Sequence, residues 1–139
     1  MFRMTHYIKS LMNPTPVRPA QKPSGPAVIW NLTRRCNLNP KHRHSMPIDM
    51  GFKDELSTEE AYAVLEDLKA VDVPMVVLSG GEPLMRADIF DISHRAKAMG
   101  FHVGLTTDGT LINPDNIDKI ASVGYDYVGI SIDGMEQIH

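Results

Sequence analysis

The sequence predicts an α/β fold with a parallel sheet, and three observations support this prediction. Apolar runs suited to buried strands recur along the chain, at residues 27–32, 75–79, 101–106 and 125–132. The three intervals between them carry patterns typical of helices. The strand runs are apolar throughout rather than alternating, as in parallel sheets that helices cover. Right-handed crossovers would then bring the carboxyl ends of all strands to one edge of the sheet.

Residues 1–26 precede the first strand and differ from the rest in composition. Five prolines lie between Pro14 and Pro26. Because proline fixes φ and lacks a backbone donor, we expect residues 13–26 to be extended. The sequence therefore predicts an N-terminal arm over residues 1–26 and a structured domain over residues 27–139.

The first predicted helix lies between the first two strands, in "STEEAYAVLEDLKAVD". Ser57 and Glu60 have the spacing of a capping box at the start of a helix. Apolar side chains then recur at helical spacing, at Ala61, Val64, Leu65, Leu68 and Val71. Together they predict an amphipathic helix.

Two further helices are predicted from their ends. In the second interval Asp88 is suited to cap a helix that Gly100 ends. Its expected buried face comprises Ile89, Ile92, Ala96 and Met99. In the third interval Asn113 is a suitable N-cap, Pro114 suits the first turn, and Gly124 follows the last apolar position.

Composition excludes several classes of protein. A formal net charge of −3 at pH 7 gives no basic field for nucleic acid. No apolar stretch approaches the roughly 20 residues that cross a bilayer. The single cysteine cannot form an internal disulfide, and no N-terminal segment resembles a signal peptide. We therefore expect a cytoplasmic protein with no nucleic-acid or membrane partner.

Polar and glycine-rich loops follow the strands, where parallel α/β folds carry their chemistry. The first contains Arg34 and Arg35, which either meet substrate carboxylates or are simply exposed. In "SGGEPL", Gly80 and Gly81 let the backbone approach a ligand closely, and the Glu82 carboxylate suits an ammonium group. The alternative is a tight turn with a solvated glutamate.

Cys36 stands in the His-rich run "CNLNPKHRHS". Cys36, His42 and His44 together offer one sulfur and two nitrogens, which are zinc ligands. Their spacing, C-x5-H-x-H, matches no usual zinc pattern, so a solvated loop with an inert thiol is the alternative.

A cysteine after strand one, "GGEP" after strand two, "TTDGT" after strand three and "SIDG" after strand four resemble the radical S-adenosylmethionine superfamily. The runs "GPAVIWNLTRRCNL", "LSGGEPL", "RAKAMGF" and "VGYDYVGISIDG" are most similar to its haem d1 biosynthesis branch, from about Pro14 onward. The resemblance implies a partial parallel (β/α) barrel of about four β–α units, incomplete because family members are far longer. Residues 27–139 would then be the N-terminal part of a radical SAM core domain. It also implies a sirohaem-derived tetrapyrrole substrate that loses propionate side chains.

The resemblance also implies two cofactors, S-adenosylmethionine and a [4Fe–4S] cluster held by C-x3-C-x2-C. Cys36 matches the first cysteine, whereas Pro40 and Arg43 occupy the positions of the other two. Proline has no side-chain ligand and arginine has no lone pair to donate. We therefore expect no stable cluster and no catalysis by this chain alone.

Residues at the other loops inherit roles toward S-adenosylmethionine from the resemblance. Those of the "GGEP" loop would hold its amino group: Gly80, Gly81, Glu82 and Pro83. Those after strands three and four would approach its ribose and carboxylate: Thr107, Asp108, Ser131 and Asp133. Relatives commonly have Asn where Asp108 stands, and this acidic residue would weaken contact with a carboxylate or serve only as a turn residue.

Three functions remain open from the sequence. The first is the N-terminal piece of a radical-enzyme lineage, which carries the S-adenosylmethionine half-site without a working cluster. The second is a non-catalytic module that binds S-adenosylmethionine or a tetrapyrrole, and the third is a small zinc protein. The fourth strand would be an open parallel edge, so we expect a poorly soluble chain or one that needs a partner to cover it.

Overall fold

The computed structural model describes residues 25–38 and 55–132. These residues form four strands, β1 (Ala27–Asn31), β2 (Met75–Ser79), β3 (His102–Thr107) and β4 (Tyr127–Ile130). They alternate with three α-helices, α1 (Thr58–Ala70), α2 (Ile89–Ala98) and α3 (Ile117–Val123). The predicted arm, up to residue 24, lies outside the described residues, as do residues 39–54 and 133–139.

The strands form one parallel sheet, as predicted, and it is open with the strand order β1-β2-β3-β4. The central pairs Val76–Val103 and Leu78–Leu105 are in register and fully buried. They belong to a core cluster with the apolar faces of the three helices: Ala61 and Leu65 of α1, Ile89, Ile92 and Ala96 of α2, and Ile120 and Val123 of α3. Within the described residues, no helix has the length and apolar character needed to span a bilayer.

The two edge strands, β1 and β4, are less buried than predicted. β4 is half-buried except at Ile130, which is 37% exposed. β1 alternates between exposed and half-buried residues, and Ile29 is 70% exposed. The reason is that β1 has a neighbour on one side only and packs into the core through alternate residues, Val28 and Trp30. β2, which has a neighbour on each side, matches its predicted bounds.

Helix α1 begins as predicted. Ser57 accepts a hydrogen bond from the Glu60 backbone N–H, and the Glu60 carboxylate accepts one from the Ser57 backbone N–H. The predicted buried face is correct for Ala61 and Leu65 but wrong for Val71, which is 70% exposed. Val71 follows the last helical residue, where the helical periodicity no longer applies.

The predicted starts of the other two helices need correction. Asp88 occupies the N-cap position of α2, but its side chain makes no capping bond. Helix α3 begins at Ile117 rather than beside Asn113. The Asn113 side chain accepts from the Asp115 backbone N–H, so it stabilises the turn before the helix. Gly124 ends α3 in the left-handed region, at φ 66°, as predicted.

Asp88 instead belongs to a buried network centred on Arg86. The Arg86 guanidinium donates to both Asp88 carboxylate oxygens, at 2.6 and 2.9 Å. It also donates to the backbone carbonyls of Leu32 and Leu56, while the Thr58 hydroxyl donates to Asp88. This network joins the segment after β1, the start of α1 and the start of α2. Nothing in the local sequence pattern indicated it.

Candidate functional site

The segments that follow β1 and β2 run side by side beyond the ends of their strands. The Leu32 backbone N–H donates to the Ser79 carbonyl at 2.9 Å, and the Gly81 N–H donates to the Thr33 carbonyl at 2.8 Å. The Glu82 N–H then donates to the Arg35 carbonyl at 2.7 Å. The loop that carries Cys36 is therefore held against the "GGEP" loop by main-chain hydrogen bonds.

Gly80 and Gly81 make this contact possible. A Cβ atom on Gly80 would lie 2.6 Å from the Thr33 carbonyl oxygen, and one on Gly81 would lie 2.2 Å from that of Arg35. Both distances are far below van der Waals contact with backbone atoms, which cannot move away as a side chain can. The close approach that the two glycines permit is therefore made by the chain's own backbone.

Glu82 is fully buried, so the alternative of a solvated glutamate is wrong. Its Oε1 accepts from the Leu84 backbone N–H at 3.0 Å and from the Thr107 hydroxyl at 2.8 Å. Its Oε2 accepts from the Asp108 backbone N–H at 2.7 Å. Burial raises the pKa of the Glu82 carboxyl above its ordinary 4.5, and these hydrogen bonds offset only part of that effect.

The loop after β3 is thus tied to the "GGEP" loop. The Thr107 side chain is buried, and its oxygen also accepts from the Gly109 backbone N–H at 3.0 Å. Pro83 is buried at the start of a short 3₁₀ turn, Pro83–Met85. Ser131 is exposed after β4, and its backbone N–H donates to the Thr107 carbonyl at 2.9 Å.

Asp108 has the turn role predicted as one of its alternatives. Its Oδ1 accepts from the Thr110 backbone N–H at 2.8 Å and from the Thr110 hydroxyl at 2.7 Å. Its Oδ2 is buried and has no hydrogen-bond partner among the residues that the structure describes. Since buried acceptors are nearly always paired, this oxygen marks a place where a donor fits.

Asn37 is a residue of the site that the sequence analysis missed. Its side-chain nitrogen donates to the Thr110 hydroxyl at 2.6 Å, so it links the Cys36 loop to the loop after β3. Its Oδ1, like Asp108 Oδ2, is buried and has no partner within residues 25–38 and 55–132. The only sequence signal was its position directly after Cys36 in a polar loop.

Arg34 and Arg35 lie in the same segment after β1. Arg34 is exposed and its backbone N–H donates to Glu55 at 3.3 Å, while Arg35 is half-buried. The Thr33 hydroxyl also donates to Glu55. A cavity of about 200 Å³ beside β1 is lined by this segment together with Glu55 and Leu56.

The donor set does not fit an iron–sulfur cluster. Cys36 is half-buried and is the only cysteine of the chain. Pro40 and Arg43 lie outside the described residues, but their chemistry already excludes them as ligands. No three His, Cys, Asp or Glu residues within 25–38 and 55–132 are grouped to hold a metal ion. His42, His44 and Asp133, which the sequence analysis also named, lie outside those ranges.

Comparisons with known proteins agree with this fold. The sequence model of the Radical SAM superfamily matches residues 30–139. The "Pre-heme d1 synthase" of Dinoroseobacter shibae is 47% identical over 135 residues, covering 97% of this chain and 33% of that protein. The "Fe-coproporphyrin III synthase" of Methanosarcina barkeri is 41% identical, covering 84% of this chain and 29% of that protein. The chain thus spans about a third of the length of these relatives.

A relative with lower sequence identity is named as a peptide cyclase. The "PqqA peptide cyclase" of Bradyrhizobium diazoefficiens is 33% identical, covering 80% of this chain and 29% of that protein. Among solved structures, SuiB of Streptococcus suis bound to S-adenosylmethionine superposes with a TM-score of 0.56 at 19% identity. That match covers 73% of this chain and 22% of SuiB, and it concerns the fold.

Proposed function

The chain belongs to the radical SAM superfamily, and from this premise we propose that it carries an S-adenosylmethionine half-site of the tetrapyrrole-modifying branch without holding a cluster of its own. The family uses S-adenosylmethionine and a [4Fe–4S] cluster, and only the first of these fits the residues present. The proposal is therefore one of ligand binding, with no radical step by this chain alone.

The observation that carries the proposal is the joining of three loops at the carboxyl edge of the sheet. Backbone hydrogen bonds join the first loop to the second, and the Glu82 carboxylate joins the second to the third. Two buried oxygens in this assembly, on Asn37 and Asp108, lack donors in the described part of the chain. The amino and hydroxyl groups of S-adenosylmethionine are donors of the required kind, so the residues fit this ligand.

The substrate class is supported by the relatives. The two relatives above with the higher identities, 47% and 41%, are a pre-haem d1 synthase and an Fe-coproporphyrin III synthase. The peptide cyclase follows at 33%. We therefore propose a tetrapyrrole with propionate side chains as the substrate of the whole system to which this half-site belongs.

Calorimetric titration of the purified chain with S-adenosylmethionine tests the binding part. We expect saturable binding with a stoichiometry near one, with inosine as a control nucleoside that lacks the amino acid. No detectable heat of binding for S-adenosylmethionine, with a folded chain verified by circular dichroism, would refute the half-site.

Anaerobic reconstitution with iron and sulfide tests the cluster part. The wild-type chain should retain no stoichiometric cluster, as read from iron analysis and visible absorption. Pro40→Cys with Arg43→Cys should restore cluster binding, because three thiolates then stand at the family spacing. The matched control is Lys41→Cys with His44→Cys, which adds the same number of thiols one residue away. A stable cluster in the wild-type chain, or equal clusters in both double variants, would contradict the proposal.

A further inference from the structure

The cavity beside the carboxyl end of β1 has no role in the proposed ligand site. Its volume is about 200 Å³, and its wall comprises residues 30–34 together with Glu55 and Leu56, which precede α1. A single water molecule needs only about 10–15 Å³ of such space. The cavity therefore has room for side chains of another chain segment.

The wall of this cavity combines an aromatic ring with a carboxylate. Trp30 is half-buried and packs against the core, and Leu56 beside it is 38% exposed. Glu55 accepts from the Thr33 hydroxyl and the Arg34 backbone N–H through Oε1, so Oε2 has no donor among the described residues. Arg34 also lines the cavity, but it already makes an interaction of its own. The cavity thus suits an apolar ring with a cation next to it.

The N-terminal arm of the same chain contains these chemical groups. Residues 16–19 read Pro-Val-Arg-Pro, which is a P-x-x-P motif that includes Arg18. Such motifs form polyproline II segments that dock in aromatic-lined grooves, and they lose little conformational entropy because proline already restricts the free chain. The guanidinium of an arginine also matches the geometry of a carboxylate.

Charge complementarity favours the arm as the occupant. Residues 1–24 contain four Lys or Arg residues and no Asp or Glu, so their formal charge is +4. Since the whole chain carries −3, residues 25–139 carry −7. The arm is therefore attracted to the rest of its own chain, and Glu55 supplies a carboxylate in the cavity wall.

The length of the arm matches the position of the cavity. The described chain bends at Gly25, whose φ of 146° is one that L side chains rarely adopt. A strand rises about 3.3 Å per residue, so residues 30–34 lie roughly 17–30 Å beyond Gly25. Arg18 precedes Gly25 by seven residues, which reach about 23–25 Å when extended. An arm that folds back along β1 therefore brings Arg18 level with the cavity.

We propose that residues 14–19 dock in this cavity of their own chain, with proline rings against Trp30 and the Arg18 guanidinium at Glu55 Oε2. The covalent tether gives the arm an effective concentration in roughly the millimolar range, so a weak contact is sufficient. Ile29 points to the face of β1 opposite Trp30 and stays exposed. This inference goes beyond the proposed ligand binding and does not depend on it.

Trp30 is the single tryptophan of the chain, so its fluorescence reports on the cavity. Acrylamide quenching of the full chain measures how accessible the indole is to solvent. Arg18→Gln and Glu55→Gln each remove one charge, and the glutamine at residue 55 keeps an acceptor oxygen. The matched controls are Arg3→Gln, on the same arm, and Glu59→Gln, which is exposed in the first turn of α1.

We expect the quenching constant to rise in Arg18→Gln and in Glu55→Gln, because loss of one partly exposed ion pair weakens docking on the order of twofold to fivefold. Both controls should keep the wild-type constant. The double variant should show no larger rise than either single variant, because both changes remove the same contact. Dilution of the wild type should leave its constant unchanged, since the contact forms within one chain.

Three results would overturn the proposal. The first is a wild-type quenching constant in Arg18→Gln, which decides even if Glu55→Gln fails to fold, because Arg18 is no part of the described core. The second is an equal rise in Arg3→Gln, which would show only a general attraction of the basic arm. The third is a wild-type constant that rises on dilution, which would assign the cavity to the arm of a second copy.

Discussion

At the scale of single residues, the Glu82 carboxylate is the group that connects the site. It joins loops that are 25 residues apart in sequence by accepting from the Thr107 hydroxyl. The sequence predicted that Glu82 binds a ligand, whereas in the structure its carboxylate accepts hydrogen bonds from its own chain. We therefore expect Glu82 to position the loop that carries Asp108 rather than to contact a ligand.

Glu82→Gln should destabilise the chain by about 1–3 kcal/mol at pH 7, because at least one of the three donors would then face an amide NH₂ group. Either orientation of the glutamine amide creates such a donor–donor contact. The free energy of unfolding in urea measures the effect. Glu59→Gln is the control, since Glu59 is exposed in the first turn of α1 and its change should cost at most a few tenths of a kcal/mol. Equal losses in the free energy of unfolding for Glu82→Gln and Glu59→Gln would contradict the positioning role of Glu82.

At the scale of elements, the Arg86 network fixes how the helices meet the sheet. Arg86 is 7% exposed and the Asp88 side chain 19% exposed, so water screens this pair less than a surface pair. Burial acts to raise the pKa of Asp88, but the hydrogen bonds from Arg86 and Thr58 and the charge of Arg86 outweigh it. The pKa of this carboxyl therefore lies below its ordinary 3.8.

This lowered pKa predicts the direction of an acid effect. A carboxyl with a folded-state pKa below its unfolded value contributes stability that is complete above pH 3.8 and is lost as the pH falls through the folded pKa. The stability difference between wild type and Asp88→Asn should therefore shrink as the pH falls below 3.8. Urea unfolding from pH 5 to pH 2 measures it.

The matched control for this experiment is Asp91→Asn. Asp91 is exposed in the first turn of the same helix, so its variant should follow the wild-type pH profile closely. If the free energies of unfolding of wild type and Asp88→Asn differed by the same amount from pH 5 to pH 2, the ionised Asp88 would not stabilise the Arg86 network.

Packing between elements also explains a glycine in β3. A Cβ atom on Gly104 would lie 2.3 Å from Cε1 of the Tyr127 ring, its register partner on β4. The ring thus lies across the β3 backbone at Gly104, and its hydroxyl is 3.2 Å from the Thr106 hydroxyl. The absence of a side chain at residue 104 allows an aromatic residue to pack over the sheet at this position.

At the scale of the whole molecule, the described sheet has two edge strands with exposed apolar residues. Ile29 on β1 is 70% exposed, and Ile132 just after β4 is 66% exposed. Unpaired strand edges with apolar side chains favour association with other chains. The sequence predicted an open edge at β4 but a buried strand at β1.

We expect the isolated chain to self-associate or to need a partner. Light scattering and sedimentation should show oligomers, and Ile29→Thr with Ile132→Thr should reduce them, because threonine keeps strand propensity while removing apolar surface. Val71→Thr is the control, since Val71 is equally exposed but lies at the end of α1. A monodisperse wild-type monomer with a single cooperative unfolding transition would contradict this expectation.

The sequence by itself determined the elements whose signals are local. The α1 capping box spans four residues, Gly124 ends α3 through its own left-handed backbone conformation, and the bounds of β2 follow from a continuous apolar run. The family was also recognisable from short motifs at the strand ends. These signals lie within a few residues of one another, so no knowledge of packing is needed to interpret them.

Only the tertiary structure decided which polar groups meet. Arg86 reaches the Leu32 carbonyl 54 residues away, and Asn37 reaches Thr110 across 73 residues. Such pairs depend on the parallel sheet bringing distant loops to one edge, and no periodicity or spacing encodes them. For the same reason the sequence could not show that Glu82 is already bonded to its own chain, which leaves Asn37 and Asp108 as the free acceptors.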